Sequence, residues 1–366
     1  MTVLNVLWAI IRTWIVLGSK PNILFSSDPN HRDMDDEVAI MVAILLHKMG
    51  LINLVAVIVN TNFARFRARI ARGMLDQYGL HQIPVGIGSE VMTNPDPCEY
   101  LDKIHYYRTD QDHRILDGNK LFIKILKYSR PKSLVILGIG PFTDIANMIS
   151  NHSKLFRRAV RLVVLMSGVE DHLVDGYLFP NAVLKDASGN RVDGATNNRF
   201  DPEAAYTTYR LLQEFRIPFK VLTRDAAYIA MLGKDIFLEM GEMGKCFDIR
   251  VRLNTQDFWR DCCLGIISET RNRKWFVDTF CEGIDPPIPD GAPIEPYLTS
   301  KAWPLYDVLA LLVASGLYDE FFTPKKFLIG GVWNEVIGWS KKDSGIKNPE
   351  EFLSLLRNLV ISASSY

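Results

Sequence analysis

The sequence predicts an α/β protein with a mostly parallel open sheet flanked by helices. Short apolar runs rich in β-branched residues alternate with helical patterns, and polar or glycine-containing turns separate them. Parallel neighbouring strands need a long crossover connection, which an intervening helix supplies. Sheets of this kind bind ligands at the carboxyl ends of their strands, so we expect the functional site there.

Each element follows from its local pattern. The run 54–59 (LVAVIV) is apolar at every position, which is typical of a strand buried on both faces. The run 37–48 (EVAIMVAILLHK) has the length and pattern of a buried helix. In chain order, we predict strands at 22–25, 54–59, 83–88, 133–137, 161–166 and 217–222, and helices at 37–48, 65–78 and 143–150.

Two loop-rich stretches and the N-terminus are harder to interpret. Residues 91–119 and 283–303 are too long for plain connections, so they are either lids over a site or surface decoration. We expect residues 1–20 to form a leader or a peripheral helix, and residues 21–366 to form a single domain. The apolar run 3–17 lacks a basic start and is interrupted by Arg12, which disfavours a signal peptide. We therefore slightly favour a cytoplasmic location, with secretion if the run is a signal.

Composition narrows the class of partner. The 366 residues are 48% hydrophobic, and Lys+Arg and Asp+Glu both total 42, so the formal net charge is zero. A balanced chain gives no reason to expect nucleic acid or stable membrane association, which leaves a small molecule as the expected partner. The five cysteines include no CxxC pair, which disfavours a zinc site or a disulfide framework.

The first chemical signal is an acidic motif. Asp28, Asp33, Asp35 and Asp36 lie within nine residues, directly after the first predicted strand. Clustered carboxylates repel one another unless a cation or a proton intervenes, and oxygen-only ligands suit calcium or magnesium. A solvated acidic turn at a helix N-terminus explains the same pattern without a metal. The motif alone leaves both interpretations open.

Three further segments carry polar groups to the ends of predicted elements. Asp307 opens an apolar helical run, and residues 137–146 form a glycine-containing turn that includes Thr143. In 196–205, Asp201 resembles an N-cap and Pro202 an N1 residue, which leaves Asn197 free to bind a ligand.

Taken in order, these segments resemble the inosine–uridine nucleoside hydrolase family over about residues 22–312. The resemblance rests on Asp28-Pro29 with Asp35-Asp36, on Ile136 to Thr143, on Leu165-Met166-Ser167-Gly168, on Asn197 with Asp201 to Ala205, and on Asp307. It implies hydrolysis of the N-glycosidic bond of ribonucleosides or a related N-riboside, and a homo-oligomer as an expectation.

The resemblance also implies residue roles. Calcium would be held by the carboxylates of Asp28, Asp36 and Asp307 and by the Thr143 carbonyl, and Asp28 would act as the base for a calcium-bound water. The implied contacts with ribose are Asp35 and Asn197 at its hydroxyls, Met166 on its 5′ side, and Asn62 near a family asparagine at the metal and ribose site.

Several positions depart from the family. The late motif is Tyr306-Asp307 in place of His-Asp, so the leaving-group acid is missing; the candidates for this contact are His31, Tyr228, Trp303 and Tyr306. A tyrosine with a pKa near 10 is a poor acid at neutral pH, whereas Trp303 would help a purine leave by stacking. Ser26 replaces a family aspartate, and Ala195 replaces a glutamate that binds the 5′-hydroxyl.

Because of these departures, two alternatives to an active hydrolase remain. One is a non-catalytic protein that binds calcium or a riboside on the same fold. The other is a magnesium phosphohydrolase, which would need basic phosphate-binding residues near the aspartates, where only Arg32 is obvious.

Overall fold

The computed structural model describes residues 20–29, 33–91, 112–182, 194–281, 292–298 and 303–365. The strands within these residues are β1 (Asn22–Ser27), β2 (Asn53–Val59), β3 (Val85–Ile87), β4 (Ile115–Asp117), β5 (Leu134–Gly138), β6 (Val160–Met166), β7 (Phe219–Leu222), β8 (Met231–Leu232), β9 (Trp303–Pro304), β10 (Lys325–Ile329) and β11 (Val332–Ile337). The helices are α1 (Asp35–Lys48), α2 (Ala64–Gln77), α3 (Gly118–Tyr128), α4 (Thr143–Asn151), α5 (Ser153–Ala159), α6 (Thr196–Phe200), α7 (Pro202–Glu214), α8 (Arg224–Ala227), α9 (Ile236–Glu239), α10 (Gly241–Cys263), α11 (Arg273–Phe280), α12 (Tyr306–Ser315) and α13 (Pro349–Ser365).

Nine of these strands form one sheet in the order β10-β11-β7-β6-β5-β1-β2-β3-β4. Every neighbouring pair is parallel except β10 and β11. The predicted mostly parallel sheet is therefore confirmed, and the six predicted strands correspond to β1–β3 and β5–β7. The strand order reverses at β1, which has β2 on one side and β5 on the other, and such a switch point is where α/β sheets bind ligands.

Helices cover both faces of the sheet. Successive side chains of a strand point to opposite faces, so Ile23 and Phe25 pack on one side and Leu24 on the other. Helices α1, α2, α12 and α13 cover the first side, and α3, α4, α5 and α7 cover the second. Strands buried on both faces explain the continuous apolar runs in the sequence.

Two central helices bring distant parts of the chain to the same edge of the sheet. Helices α1 and α12 pack against each other, and both are buried along almost their whole length. A helix that is apolar all round lies in the interior of the protein. Their N-terminal turns meet, because the N–H of Asp307 donates to Oδ2 of Asp35 at 3.3 Å.

Sequence analysis did not predict some of the observed elements. The β10–β11 hairpin turns at Gly330 and Gly331, with φ of 59° and 81°, and a Gly-Gly pair between apolar runs is a hairpin signal. The stretch 91–119, predicted as a loop, contains β4 and the start of α3. The rest of that stretch, 92–111, lies outside the described residues, as do 1–19 and most of 283–303.

The region between β7 and α12 forms a separate aromatic cluster. Trp259 on α10 packs against Phe276 on α11, with ring centroids 5.1 Å apart, and Phe276 packs against Phe280 at 4.9 Å. Sequence analysis assigned no helix here. Among the described helices, none combines the length and the apolar character needed to cross a membrane.

Candidate functional site

A cluster of buried acidic side chains lies at the carboxyl end of β1. Asp28 follows β1, Asp35 and Asp36 begin α1, and Asp307 lies in the first turn of α12; these four are only 3–4% exposed. Asp33 is less buried, and its carboxylate lies within 4.8 Å of those of Asp35 and Asp36. Asp35, Asp36 and Asp307 do lie in first helical turns, as the alternative without a metal expects, but they are buried and not solvated. The N-cap of α1, Met34, makes no side-chain capping bond.

Hydrogen bonds hold the acidic groups together. Oδ1 of Asp36 accepts from the Ser27 hydroxyl at 2.5 Å and from the Asp28 N–H at 2.9 Å. Asp35 in turn accepts from the backbone of Asp307. The end of β1 and the starts of α1 and α12 are thus joined by the carboxylates themselves.

The pKa values of these groups are raised. Burial raises the pKa of Asp36 to about 7, against the opposing effect of its hydrogen bond from Ser27. Burial, and then the charges of Asp33 and Asp36, raise the pKa of Asp35 well above its ordinary value. The pKa of Asp307 is raised by burial first and then by the nearby charge of Asp35. Without a cation, these carboxyl groups therefore tend to retain protons.

Asn60, immediately after β2, is a site residue that sequence analysis missed. Its Oδ1 is buried and has no hydrogen-bond partner among the described residues. A Cβ added to Gly140 would lie 2.7 Å from this oxygen and 2.7 Å from Oδ1 of Asp28, so the two oxygens flank the same point. A buried orphan acceptor beside a carboxylate calls for a cation or another donor.

This donor set fits a hard cation. The three carboxylates whose oxygens lie within 4.8 Å of one another are those of Asp33, Asp35 and Asp36. Asp28, Asp307 and Asn60 lie close by, so the side chains of this cluster offer only oxygen among the described residues. Calcium takes six to eight oxygen ligands, with carboxylates and amide carbonyls among its usual partners. The cluster therefore suits calcium better than zinc, which prefers nitrogen and sulfur.

Thr143, whose carbonyl the resemblance makes a metal ligand, lies at the start of α4. Its hydroxyl donates to Oδ2 of Asp201 at 2.5 Å, and Thr143 is the first residue of α4. Carbonyls in an α-helix point toward its C-terminus, so this one is directed along α4. The predicted N-cap role of Asp201 is confirmed, because its Oδ1 accepts from the N–H of Ala204 at 3.0 Å.

Asn197 and Met166 meet at the carboxyl ends of β5 and β6. Nδ2 of Asn197 donates to the carbonyls of Ile139 at 2.9 Å and Met166 at 3.1 Å, and it lies 3.7 Å from the Met166 sulfur. Ala195, two residues before Asn197 in the chain, is buried, and its backbone N–H donates to Oδ1 of Asn181. The position where the family has a glutamate therefore offers no side-chain polar group.

The side chain of Asn62 is bonded to Arg67, and its predicted role at the metal and ribose stays a prediction. Its Oδ1 accepts from Nη2 of Arg67 at 2.9 Å, and Nη1 of the same buried arginine donates to the carbonyls of Asp28 and Pro29. Asn62 thus helps Arg67 to hold the chain that follows β1. The asparagine beside the Asp28 carboxylate is Asn60.

Aromatic side chains border the acidic groups. The rings of Tyr228 and Tyr306 lie 6.0 Å apart at 67°, and Tyr228 also contacts Trp275 at 5.9 Å. Burial, followed by Tyr228 and then by Asp35 and Asp33, raises the pKa of Tyr306. Trp303 is 4% exposed and packs against Phe237 at 4.7 Å, as a core residue does. His31 lies outside the described residues.

A buried ion pair fixes α10 beside the acidic groups. Nη1 of Arg250 lies 2.5 Å from Oε1 of Glu37, and Nη2 donates to the Asp33 carbonyl. Both side chains are almost fully buried, with 1% and 3% exposure. This pair connects the aromatic region to α1.

The fold and site together define an α/β protein with an oxygen-rich acidic cluster at its sheet switch point. The family model of the inosine-uridine preferring nucleoside hydrolases matches residues 23–330, so the chain belongs to that family. Membership supports ribonucleoside hydrolysis as the general activity. A comparison with curated proteins found no match.

Solved structures share the fold. The type III effector protein XopQ, complexed with adenosine diphosphate ribose, is 23% identical, with a TM-score of 0.75 and 97% of each chain covered. The inosine-uridine preferring nucleoside hydrolase from Bacillus anthracis is 15% identical, with a TM-score of 0.57 and coverage of 93% of this chain and 99% of that one. The purine-preferring ribonucleoside hydrolase from Gardnerella vaginalis is 14% identical, with a TM-score of 0.58 and coverage of 94% and 99%. Both hydrolases and an effector therefore use this architecture.

Proposed function

We propose that the protein hydrolyses the N-glycosidic bond of ribonucleosides or a related N-riboside, giving ribose and the free base. One observation carries the proposal: the carboxylates that follow β1 and begin α1 and α12 lie together, buried, at the switch point. Family membership supports the reaction class.

Calcium is the proposed cofactor. Asp28, Asp36 and Asp307 would hold it, together with Oδ1 of Asn60. When bound, the ion supplies a Lewis acid that fixes and acidifies water and neutralises the carboxylates. We assign to Asn60 the metal-side role that the resemblance gives to Asn62. The Thr143 carbonyl is a weaker candidate because of its position in α4.

The protein's own groups perform the other steps. Asp28 takes a proton from the attacking water as the general base. Asp35 and Asn197 bind the ribose hydroxyls, and Met166 lines the 5′ side of the sugar. As the C–N bond breaks, positive charge develops on the ribose ring in an oxocarbenium-like transition state, and the buried carboxylates stabilise that charge.

The leaving base meets the aromatic side of the site. Tyr306 and Tyr228 form this wall, and the raised pKa of Tyr306 keeps its hydroxyl protonated at neutral pH. A neutral hydroxyl donates a hydrogen bond to the base more readily than it transfers its proton. We therefore propose that the base leaves as an anion with hydrogen-bonded and stacking support and takes its proton from solvent water, while the proton held by Asp28 returns to solvent.

A second candidate function is riboside binding without hydrolysis. It is favoured by the replacement of the family histidine by Tyr306, whose pKa is raised, and by the absence of a 5′ carboxylate at Ala195. The absence of that carboxylate also favours ligands substituted at the 5′ position. Arg32, the basic residue that a phosphohydrolase would need, lies outside the described residues. Two other arginines near the acidic groups, Arg67 and Arg250, bond to loop carbonyls and to Glu37, which gives a phosphohydrolase no support.

The test is product release from a panel of inosine, adenosine, uridine and adenosine diphosphate ribose, with calcium or with a chelator. We expect ribose or substituted ribose and free base only with calcium. Asp28→Asn should lower the rate about 10²- to 10⁴-fold, as expected for loss of a general base. Asp117→Asn is the matched control, because Asp117 is 54% exposed and asparagine also serves as an N-cap.

The alternatives give distinct outcomes in the same assay. Calcium-dependent ligand binding without release of any base would establish the non-catalytic alternative. Release of phosphate from nucleotides, with intact glycosidic bonds, would establish the phosphohydrolase and overturn the proposal.

A further inference from the structure

Asp144 is a buried carboxylate to which the proposed reaction assigns no role. It is the second residue of α4 and is 5% exposed. Its Oδ1 accepts from the N–H of Ser89 at 2.9 Å and from the Ser89 hydroxyl at 2.8 Å. Its Oδ2 accepts from Nδ2 of Asn60 at 3.0 Å. Asp144 therefore joins the chain segments that follow β2 and β3 to the start of α4.

These contacts determine which way the Asn60 amide points. Nδ2 lies within hydrogen-bond distance of Asp144, the Pro141 carbonyl at 2.9 Å and the Ser26 hydroxyl at 3.2 Å. The Pro141 carbonyl can only accept a hydrogen bond, so the amide must present its NH₂ group to it, and Asp144 accepts from the same nitrogen. Oδ1 is then left beside Oδ1 of Asp28, buried and without a partner among the described residues.

Close packing leaves little room for the network to rearrange. A Cβ on Gly88 would lie 2.5 Å from Oδ2 of Asp144, and one on Gly140 would lie 2.7 Å from Oδ1 of Asn60. Real Cβ atoms avoid such distances, so glycine at both positions lets the backbone close around the two side chains. The orientation of Asn60 is thus held by partners and by packing.

We infer that Asp144 is a positioning residue: it orients Asn60 so that Oδ1 faces Asp28 and completes the cation site. Ser26 stands where the family has an aspartate, and only its hydroxyl accepts a hydrogen bond from the Asn60 amide. The carboxylate that orients this asparagine therefore comes from α4. The inference rests on the proposed function only in taking the ion to be calcium.

The test measures calcium affinity by titration calorimetry on folded protein, independently of hydrolysis. Asp144→Asn removes one acceptor, so the amide of Asn60 can turn its oxygen away from Asp28. We expect calcium to bind about 10- to 100-fold more weakly, as is usual when a group supporting a ligand is lost. Asp117→Asn, which changes an exposed carboxylate at the end of β4, should leave the affinity unchanged.

A reciprocal exchange separates orientation from a general effect on folding. In Asn60→Asp, the introduced carboxylate faces Asp144 and the hydrogen bond is lost. In the double variant Asn60→Asp with Asp144→Asn, the introduced amide on α4 donates to the introduced carboxylate after β2, and an oxygen still faces Asp28. The effect of Asn60→Asp on calcium affinity should therefore be more favourable in the Asp144→Asn background than in the original chain.

The outcomes distinguish this inference from the proposed function. Calcium binding that is equal in Asp144→Asn, Asp117→Asn and the original chain, or additive effects in the exchange, would overturn the inference alone. Failure of the original chain to bind calcium would overturn both. Calcium binding with the expected coupling but no hydrolysis would leave the inference standing and remove the enzymatic proposal.

Discussion

Tyr306 occupies the position where a leaving-group acid would be most useful, yet its surroundings oppose that role. Its ring packs on Tyr228, and burial together with the neighbouring Asp35 raises its pKa. A group whose pKa lies above 10 transfers a proton poorly at neutral pH. Its hydroxyl is better suited to donating a hydrogen bond.

Tyr306→Phe keeps the ring and removes this donor. We expect kcat to fall about tenfold or less, because loss of a true general acid typically costs about 10²- to 10⁴-fold. The measurement is kcat on two nucleosides whose bases differ in leaving ability, with Tyr128→Phe, at a 73% exposed position of α3, as the control. A large loss confined to the poorer leaving group would instead make Tyr306 the acid.

At the residue scale, the sequence could indicate which acidic side chains lie near one another, but not how the backbone directs the asparagines after β2; the roles of these residues stay predictions. Asp28, Asp35, Asp36 and Asp307 do lie together, as their motifs indicated. The choice between Asn60 and Asn62 depends on where β2 ends and on the positive φ of Thr61 and Phe63, which pattern analysis does not provide. Asp144 had the same appearance as any aspartate in a first helical turn.

Helix α10 is held against the acidic groups by one buried ion pair. Arg250 and Glu37 are both nearly inaccessible to water, and Arg250 also donates to the Asp33 carbonyl. Removing one partner of such a pair leaves the other charge buried and uncompensated. The pair thus supports both the stability of the protein and the shape of the site.

Arg250→Ala should lower the free energy of unfolding by about 3–5 kcal/mol. Arg252→Ala is a suitable control on the same helix, because Arg252 is 46% exposed and its pairs with Asp248 and Glu295 should contribute about 1 kcal/mol or less. Urea denaturation monitored by tryptophan fluorescence measures both. If both variants lost the same free energy of unfolding, the buried pair would contribute no more to stability than the exposed pairs.

Element-level prediction was most accurate for the interior of the sheet. The strands β1, β2, β5 and β6 are buried on both faces, so their apolar runs are unambiguous. Strand β4 has only three residues, too few to show the two-residue alternation of a strand. It forms by pairing with β3. The hairpin β10–β11 carried a usable Gly-Gly signal that was overlooked.

The site joins residues that are far apart in the chain, so a bound ion would act as a cross-link of the whole molecule. Asp28 follows the first strand of the sheet, and Asp307 belongs to the late helix α12. Without a cation, the burial that raises the pKa values of Asp35, Asp36 and Asp307 means that ionising them destabilises the folded state.

The sign of the pH dependence follows from Asp36. Its pKa is about 7 when folded, against an ordinary value of 3.8, so the folded protein binds this proton more tightly. Its contribution to the stability of the calcium-free protein is full below about pH 4 and is lost as pH rises through about 7. Calcium binding requires ionised ligands, so its stabilising effect should increase over the same range.

Thermal unfolding at pH 5 and pH 8, with calcium or chelator, checks this expectation. At 100 times its dissociation constant, calcium should add about 2.7 kcal/mol, with a smaller gain at pH 5 for the same calcium concentration. In Asp36→Asn the difference between the two pH values should shrink. An equal calcium effect at both pH values in the original chain would contradict the assignment of Asp36 as a ligand.

At the scale of the molecule, the fold class and the position of the site followed from the order of elements. Strand–helix alternation predicted the parallel sheet, and the rule for carboxyl ends predicted the edge at which Asp28 lies. The packing of α1 against α12 could not be derived from pattern alone, because both helices are apolar all round and show no preferred face.

The acidic side and the aromatic side of the site, here called its two flanks, are built mainly on different elements. The acidic flank is built on strand ends and on the central helices α1 and α12, whereas the aromatic flank belongs to the chain between β7 and α12. Substitutions in α10 and α11 that keep the Arg250–Glu37 pair would therefore change the aromatic flank and leave the strand ends and the helices α1 and α12 unaltered. In evolution, the ligand preference of such a scaffold can change while the residues proposed to contact the ribose stay as they were in the ancestor.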